Sequence, residues 1–591
     1  MYDHDSEDRR ATLIAGLILF ILLAVVIAIA SPSASRRGQE CVFAAAVPES
    51  SVFFVDVSNP VEQINRLAEM GLLTDVAEFM AVLGSRGGIP FTEQLAATLE
   101  GWDADPVLRS DLESVASRRA VAVLLATDET LWPQPLLALQ GANGADPLGA
   151  LDSLASWLGL GSVSATESPS MLSFAIDSEE GHRILDGRVA GSWVVLGPPG
   201  TGEVGAELAG CLAGWGPCPD SSLATLPEFR STLARLPEEA PIHGYLNVPQ
   251  FRAILASKAE PALASLFDAT SGIAIARNIT VDGIETWATG RFETTSKSDA
   301  LSRLLAHLAP IGQPLSNHLP DNALATYDLG AAAADIVGVL DRHIETVFPT
   351  IHAWLQDVLD EFRAATGLDP ELDLLPYLGR GIAVGILPAD EGLDGWPLPR
   401  PVLVARSTND EAVRQFSRAW LRWEAGALAP LTQGLLSAMV DSQQVAGAEL
   451  IGLQLDTVLS TPMPPPSPTV TVTNGLVIVS PLRSAVVEIL GSQAARGASE
   501  TRAVSRVAAV ETMWLNLPAW PEAWRRAEGL LETPVLEQIL EPGPLVEIAR
   551  SLMRLLGGFG PAQAASSVTP DGELMFHAAV TRKGDPAAGQ R

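Results

Sequence analysis

Lysine is almost missing from this chain: among 591 residues only Lys258, Lys297 and Lys583 are lysines, and carboxylates outnumber basic residues 70 to 38. A net charge of −32 with no clustered cations argues against nucleic acid, whose phosphates are held by grouped Lys and Arg. Cysteine is scarcer still, with Cys41, Cys211 and Cys218 and no Cys-x-x-Cys, and no two of the eight histidines take the four-residue spacing of a zincin. No zinc or other metal site, and no cofactor, is therefore expected. A Gly-x-Ser-x-Gly elbow is absent, and Leu255, Thr294 and Val580 stand where Ser-x-x-Lys chemistry needs its serine. These absences favour a protein that is not an enzyme, although a hydrolase site assembled from distant residues is invisible to motif reading.

One loop imitates chemistry without carrying it. GPPGTGEVG at 197–205 has the outline of a phosphate-binding loop between strand and helix. Glu203 replaces the lysine and Val204 the magnesium-binding hydroxyl, so the loop would repel a nucleotide's phosphates. It reads as a strand-to-helix turn, and no nucleotide is expected.

What the chain does contain is one long apolar run and a repeated text. Residues 11–30, ATLIAGLILFILLAVVIAIA, hold no charge, and twenty helical residues reach about 30 Å, the thickness of a bilayer core. They read as an uncleaved signal anchor; the alternative is a cleaved signal peptide ending at Ala28-Ile29-Ala30. Arg9-Arg10 on one side and Arg36-Arg37 on the other leave the positive-inside count tied. A ten-residue tail ahead of a lone anchor normally stays in the cytoplasm. Residues 31–591 are accordingly expected outside the cytoplasmic (inner) membrane, as the bulk of a single-pass, acidic protein.

The text VPESSVFFVDV at 47–57 returns as LPDNALATYDL at 319–329, matching Pro48 with Pro320 and Asp56 with Asp328. YLNVPQF at 245–251 returns as WLNLPAW at 514–520, matching Asn247 with Asn516, and the Asp-Gly pair at Asp282 returns at Asp571. Asp-Gly favours tight turns between antiparallel strands. Apolar strand pairs at 120–126 with 135–140 and at 382–387 with 401–406 also correspond, each followed by a helix opened by Asp146 or Asp410 as a cap. These eight positions (Pro48, Pro320, Asp56, Asp328, Asn247, Asn516, Asp282 and Asp571) read as architectural. The two asparagines close turns before prolines; the rival reading lines a cleft with them.

The order of elements predicts an α+β fold. One N-terminal transmembrane helix precedes two tandem homologous modules, each a largely antiparallel sheet backed by helices. The boundaries are a cytoplasmic tail 1–10, transmembrane helix 11–30, linker 31–44, modules 45–310 and 311–583, and a disordered tail 584–591. Cys211 and Cys218, in GCLAGWGPC, either close a small loop in an oxidising compartment or remain two buried thiols. PMPPPSP at 462–468 reads as a stiff loop, and Trp420, Trp423, Trp514, Trp520 and Trp524 as core rather than a ligand wall.

With these elements in place, the chain resembles a bacterial family known only as a domain of unknown function. The resemblance rests on the N-terminal apolar segment, the Leu-Pro opening of a strand that ends in Asp, and a Leu-Pro-x-Leu-Gly phrase in LLPYLGRG at 374–381. The first copy departs from it, with SVASRR at 114–119 in that place. The resemblance implies an anchored, duplicated extracytoplasmic protein and carries over no catalytic residues. The function expected is non-enzymatic binding or scaffolding of an unknown envelope protein. The alternatives are a carrier of an apolar ligand such as a lipid, and an envelope hydrolase with a dispersed site.

Overall fold

The computed structural model describes residues 42–87, 92–102, 105–126, 133–142, 146–157, 162–167, 172–177, 183–257, 270–292, 307–390, 396–431, 436–457, 465–496, 509–531, 543–569 and 573–583. The apolar segment 11–30, Cys41, Asp571, the tail 584–591 and the first residues of the proline run at 462–468 lie outside them. The chain divides into two compact units, 1–293 with 542–559 and 573–585, and 294–541 with 560–572 and 586–591.

Unit 1 begins with β1 (Ser51–Ser58), a Val/Phe-rich strand buried on both faces. Helices α1 (Pro60–Met70), α2 (Leu73–Gly87), α3 (Thr92–Gly101) and α4 (Pro106–Ala116) follow, then β2 (Arg119–Leu125) and β3 (Gln134–Gln140). After α5 (Pro147–Trp157) come β4 (Ser162–Glu167), β5 (Leu172–Asp177), β6 (Arg183–Ala190) and β7 (Trp193–Gly197). Then α6 (Gly202–Ala213), α7 (Pro227–Leu233), β8 (Ile242–Leu246), α8 (Val248–Ser257), β9 (Thr270–Thr280) and β10 (Gly283–Phe292) complete the run. The strands pair antiparallel in the order β4-β5-β6-β7-β3-β2-β1-β8-β9-β10. Pleating sends alternate residues to opposite faces. Phe54, Val121, Val123 and Val195 pack under α6 and α7, whereas Val55, Val57, Ala122 and Val194 pack under α4, α5 and α8. Helices therefore cover both faces.

Unit 2 repeats the strand order. It contains β11 (Ala325–Ala332), α9 (Ala333–Val347), α10 (Pro349–Thr366), α11 (Pro370–Asp373), β12 (Leu378–Leu387), β13 (Arg400–Ser407) and α12 (Asp410–Leu431). It continues with β14 (Leu436–Val445), β15 (Ala448–Thr457), β16 (Thr469–Thr473), β17 (Leu476–Ser480), α13 (Arg483–Arg496), β18 (Glu511–Leu515) and α14 (Trp520–Leu531). With β19 (Phe559–Val568) the order is β14-β15-β16-β17-β13-β12-β11-β18-β19, all antiparallel.

The closing elements go elsewhere. Helix α15 (Gly543–Gly558) packs Leu555 against the apolar faces of α1 to α3, and β20 (Glu573–Arg582) pairs with β10 from Gly283 opposite Thr581 to Arg291 opposite Glu573. Both belong to unit 1.

The expected architecture is corrected accordingly. The twenty described strands form one antiparallel sheet, not a separate sheet for each module. The physical reason lies in β10, a hairpin strand whose outer edge offers a full row of peptide groups that β20 satisfies. Nor is an N-terminal transmembrane helix shown, since no helix among the described residues is long and apolar enough to cross a membrane.

Cys211 and Cys218 are joined in a disulfide with Cα atoms 4.9 Å apart, tying the end of α6 to the following loop. Their separation of seven residues makes the loop small, so the chain-entropy relation gives a stabilisation of about 2 kcal/mol. Reduction, or Cys218→Ser, is expected to lower the thermal midpoint of unit 1 by several degrees. Identical melting curves with and without reductant would show that the loop contributes nothing.

Candidate functional site

The candidate site is the apolar surface that unit 2 leaves uncovered. Helix α10 has one face fixed by Phe362, fully buried with its ring 4.9 Å from Trp420 and 5.5 Å from Trp423 of α12. Helix α9 is held to it by Asp341, which accepts from His352 Nε2 at 3.1 Å and Gln356 Nε2 at 3.2 Å. The two helices also expose Val337, Leu340, Phe348, Ile351 and Trp354, with Leu340 52% and Trp354 61% accessible. Single exposed apolar side chains are ordinary; five on one helical hairpin form the kind of patch that marks an interaction site. Exposed carboxylates border it. Asp341 and Glu345 lie four and eight residues after Val337, and Asp357 and Glu361 three and seven after Trp354, so each pair shares its helix face.

The sheet of unit 2 adds a second apolar feature. Met513, Tyr327, Val384, Leu403 and Val479 are successive cross-strand neighbours on β18, β11, β12, β13 and β17. Val384 and Leu403 remain 38% exposed. The corresponding row in unit 1 includes Val55 and Ala122, both buried beneath Ala150, Leu151 and neighbouring helical residues. Tyr327 donates its hydroxyl to Glu511, and burial, with that carboxylate's charge, pushes its pKa up well beyond the ordinary phenol value.

The repeated positions that the structure describes contact the chain's own backbone or side chains. Pro48 and Pro320 open identical turns, their carbonyls accepting from Ser51 N at 3.0 Å and Ala323 N at 3.2 Å. Asn247 N and Asn516 N donate to Val52 O and Leu324 O at 2.9 and 2.8 Å, and Asn247 Nδ2 also reaches Glu49 O at 3.0 Å. Asp282 sits in the β9–β10 turn, where Arg582 N donates to its carbonyl. Asp146 caps α5 by accepting from Gly149 N, but α12 is capped by Asn409, while Asp410 reaches across to Gly475 N.

The two buried aspartates differ in partner. Asp56 is held by Arg119, with Nε to Oδ1 at 2.6 Å and a close second contact from Nη2 to Oδ2; the guanidinium lies 3.8 Å over the Phe43 ring. His243 stands opposite Asp56, donating from Nε2 to Pro237 O at 3.1 Å; burial lowers its pKa and keeps it neutral. In unit 2 the β11–β12 ladder shifts register between Leu329 and Ala332, at the end of the strand pair where Arg119 stands in unit 1. Asp328 instead accepts from Ser316 N at 2.9 Å, and burial, outweighing these hydrogen bonds, raises its pKa.

A carboxyl that binds protons more tightly when folded destabilises above its folded pKa and gains stability as pH falls through that value. Asp328→Asn is therefore expected to raise the unit 2 midpoint at neutral pH and to flatten its rise on mild acidification. A parallel pH profile for variant and parent would remove Asp328 as the cause.

The phosphate-loop imitation is occupied by the chain itself: Gly200 N donates to Asp186 Oδ2 at 2.9 Å, and Thr201 Oγ1 to Pro198 O at 2.6 Å. Among the described residues no three His, Cys, Asp or Glu side chains group as a metal site would require. Trp420 and Trp423, both half-buried, pack around Phe362, and Trp514 packs partly buried against the Leu319 and Ala383 core. The exposure of these two helices is not legible in the sequence. Its signal was present in the apolar spacing 337, 340, 348, 351, 354, but periodicity alone does not tell a covered stripe from an open one.

Comparison with the curated proteins gives no match. Among solved structures, a chain titled "Structure of crystal form I of TP0453" aligns at 8% identity and a TM-score of 0.25, covering 46% of this chain and 86% of its own. A likeness of that size carries no argument about fold or function. Residues 217–417 match the model of a family described as "Protein of unknown function (DUF3352)", and over that stretch the chain is similar to a domain-of-unknown-function family.

Proposed function

We propose that this protein is a non-enzymatic binding or scaffolding protein of the bacterial envelope. It is attached to the cytoplasmic membrane through the apolar segment 11–30, with the rest of the chain outside the cytoplasm and working without cofactor, nucleotide or nucleic acid. An internal duplication built it; the support is the recurrence of Pro48, Asp56, Asn247 and Asp282 at Pro320, Asp328, Asn516 and Asp571, and the shared strand order of the two units. The observation that carries the binding reading is the open apolar hairpin of α9 and α10, because a solvent-facing Trp354 and Leu340 are retained at a cost in solubility. The test is affinity purification from detergent-solubilised membranes, comparing the parent with Leu340→Glu/Trp354→Glu. A stoichiometric partner lost on substitution supports the reading, and its absence in both removes it.

A second reading, a carrier of an apolar ligand such as a lipid, is favoured by the exposed Val384–Leu403 row with the Tyr327 hydroxyl beside it. Native mass spectrometry of the purified chain decides it: a retained lipid lost in Val384→Glu supports the carrier, and a ligand-free mass excludes it.

A further inference from the structure

We infer that the open face of α9 and α10 receives an amphipathic helix bearing arginine or lysine beside its apolar stripe, contributed by a partner protein. The inference rests on the binding reading above and names the partner's chemistry. Unit 1 supplies the first argument. There the helices that follow β1 do not face solvent; α15 covers them, packing Leu555 beside Leu72, Leu73 and Val76. Arg554 of α15 forms a close ion pair with Glu78 of α2. An apolar helix face with a carboxylate at its border is thus closed, within this chain, by a helix carrying apolar residues and a cation.

Unit 2 presents the same chemistry with nothing described above it. Covering Val337, Leu340, Phe348, Ile351 and Trp354 would remove on the order of 400 Å² of apolar surface, which suits one docked helix better than a whole domain face. Spacings of three and four residues are those by which grooves read helices. Charge decides among occupants. Glu345, Asp357 and Glu361 lie exposed on the helix faces of Val337 and Trp354, Asp341 is already engaged by His352 and Gln356, and Arg363 by Asp360 and Asp369. A second copy would bring the same carboxylates against these, in a chain of net charge −32, and an anionic bilayer would be repelled for the same reason. A cationic helix meets complementary charge.

The experiment uses the full chain in phosphatidylcholine nanodiscs and a labelled 18-residue peptide with a leucine stripe flanked by arginines, read by fluorescence anisotropy. A twin peptide with glutamates in place of the arginines, and neutral phosphatidylcholine vesicles, serve as competitors. The arginine peptide is expected to bind in preference to its twin, and Leu340→Glu/Trp354→Glu to weaken it about tenfold or more. Asp357→Arg/Glu361→Arg is expected to invert the preference. Should the glutamate variant melt early, Trp354→Ala repeats the test at an exposed position without introducing charge. Equal binding of both peptides, no binding, or displacement by vesicles would overturn the inference. So would an unreactive thiol in Trp354→Cys, which would mean that the chain's own residues cover the face. If the partner capture described above is lost on substitution while the peptides show no charge preference, the helix chemistry fails and the binding reading stands. If capture is also unaffected, both fail.

Discussion

A chain ending at Asp571 is expected to lose the fold of unit 1, although the cut lies 278 residues beyond the last residue of that unit's main segment. The truncation removes β20, which pairs with β10 at every position from Gly283 to Arg291. Trp287 would lose the stacked His577 ring, 5.3 Å away, and Arg235 the buried Glu573 carboxylate with which it forms a close ion pair. At about 1 kcal/mol for each ladder hydrogen bond and several tenths for each cross-strand side-chain pair, nine paired positions make the loss on the order of 10 kcal/mol. A domain's whole stability is about 5–15 kcal/mol. The expected outcome is insoluble protein, or a soluble chain in which protease rapidly digests residues 45–293. Deleting only 584–591 is the control and should change neither. A subtler variant tests the same contact: a Cβ at Gly283 would lie 2.2 Å from Val580 O, so Gly283→Val should force β20 away. A truncated chain that melts within a few degrees of the parent would show that β20 is dispensable.

Arg119→Met is expected to destabilise unit 1 by about 3–5 kcal/mol, the range found when one partner of a buried ion pair is removed. Asp56 is 2% exposed and would be left without its cation beside apolar Val121 and His243. Phe43, whose ring lies under the guanidinium, would also lose that contact. The double variant Asp56→Asn/Arg119→Met should recover part of the loss, since an amide is cheaper to bury than an uncompensated carboxylate. Unit 2 holds its buried aspartate without arginine, and there the hydrogen bonds from Ser316 and Thr512 do not offset burial, which raises the Asp328 pKa. Scanning calorimetry provides the measurement. At about 2–4 °C for each kcal/mol in a unit of this size, the first transition should fall by roughly 10 °C. A single variant no less stable than the double would contradict the account.

Much of the framework was legible because it follows local rules. The apolar Val/Phe run at 52–57 and those at 120–126 and 382–387 became β1, β2 and β12, and Asp282 became a hairpin turn. Strands β4 to β6 and β14 with β15 escaped. SVSATE and DSQQV are too polar to announce strands, and they are held by the ladders of their neighbours more than by their own burial. Asp410 reads as a cap but Asn409 caps the helix, because either side chain suits a helix start.

The sequence by itself determined the repeating text, the turns at Pro48 and Pro320, the self-contradicting phosphate loop and the scarcity of cations, since each depends on residue identity over a few positions. Only the tertiary structure decided where the last strand goes and which apolar stripes are covered. The hydrogen-bonding edge of a strand is the same whether its partner comes next in the chain or 290 residues later. Likewise an amphipathic helix reads the same whether its stripe meets α15, as on α2, or solvent, as on α10. Partner choice is settled by long-range packing. The excess of carboxylates over cations takes its meaning there too, beside an open apolar face.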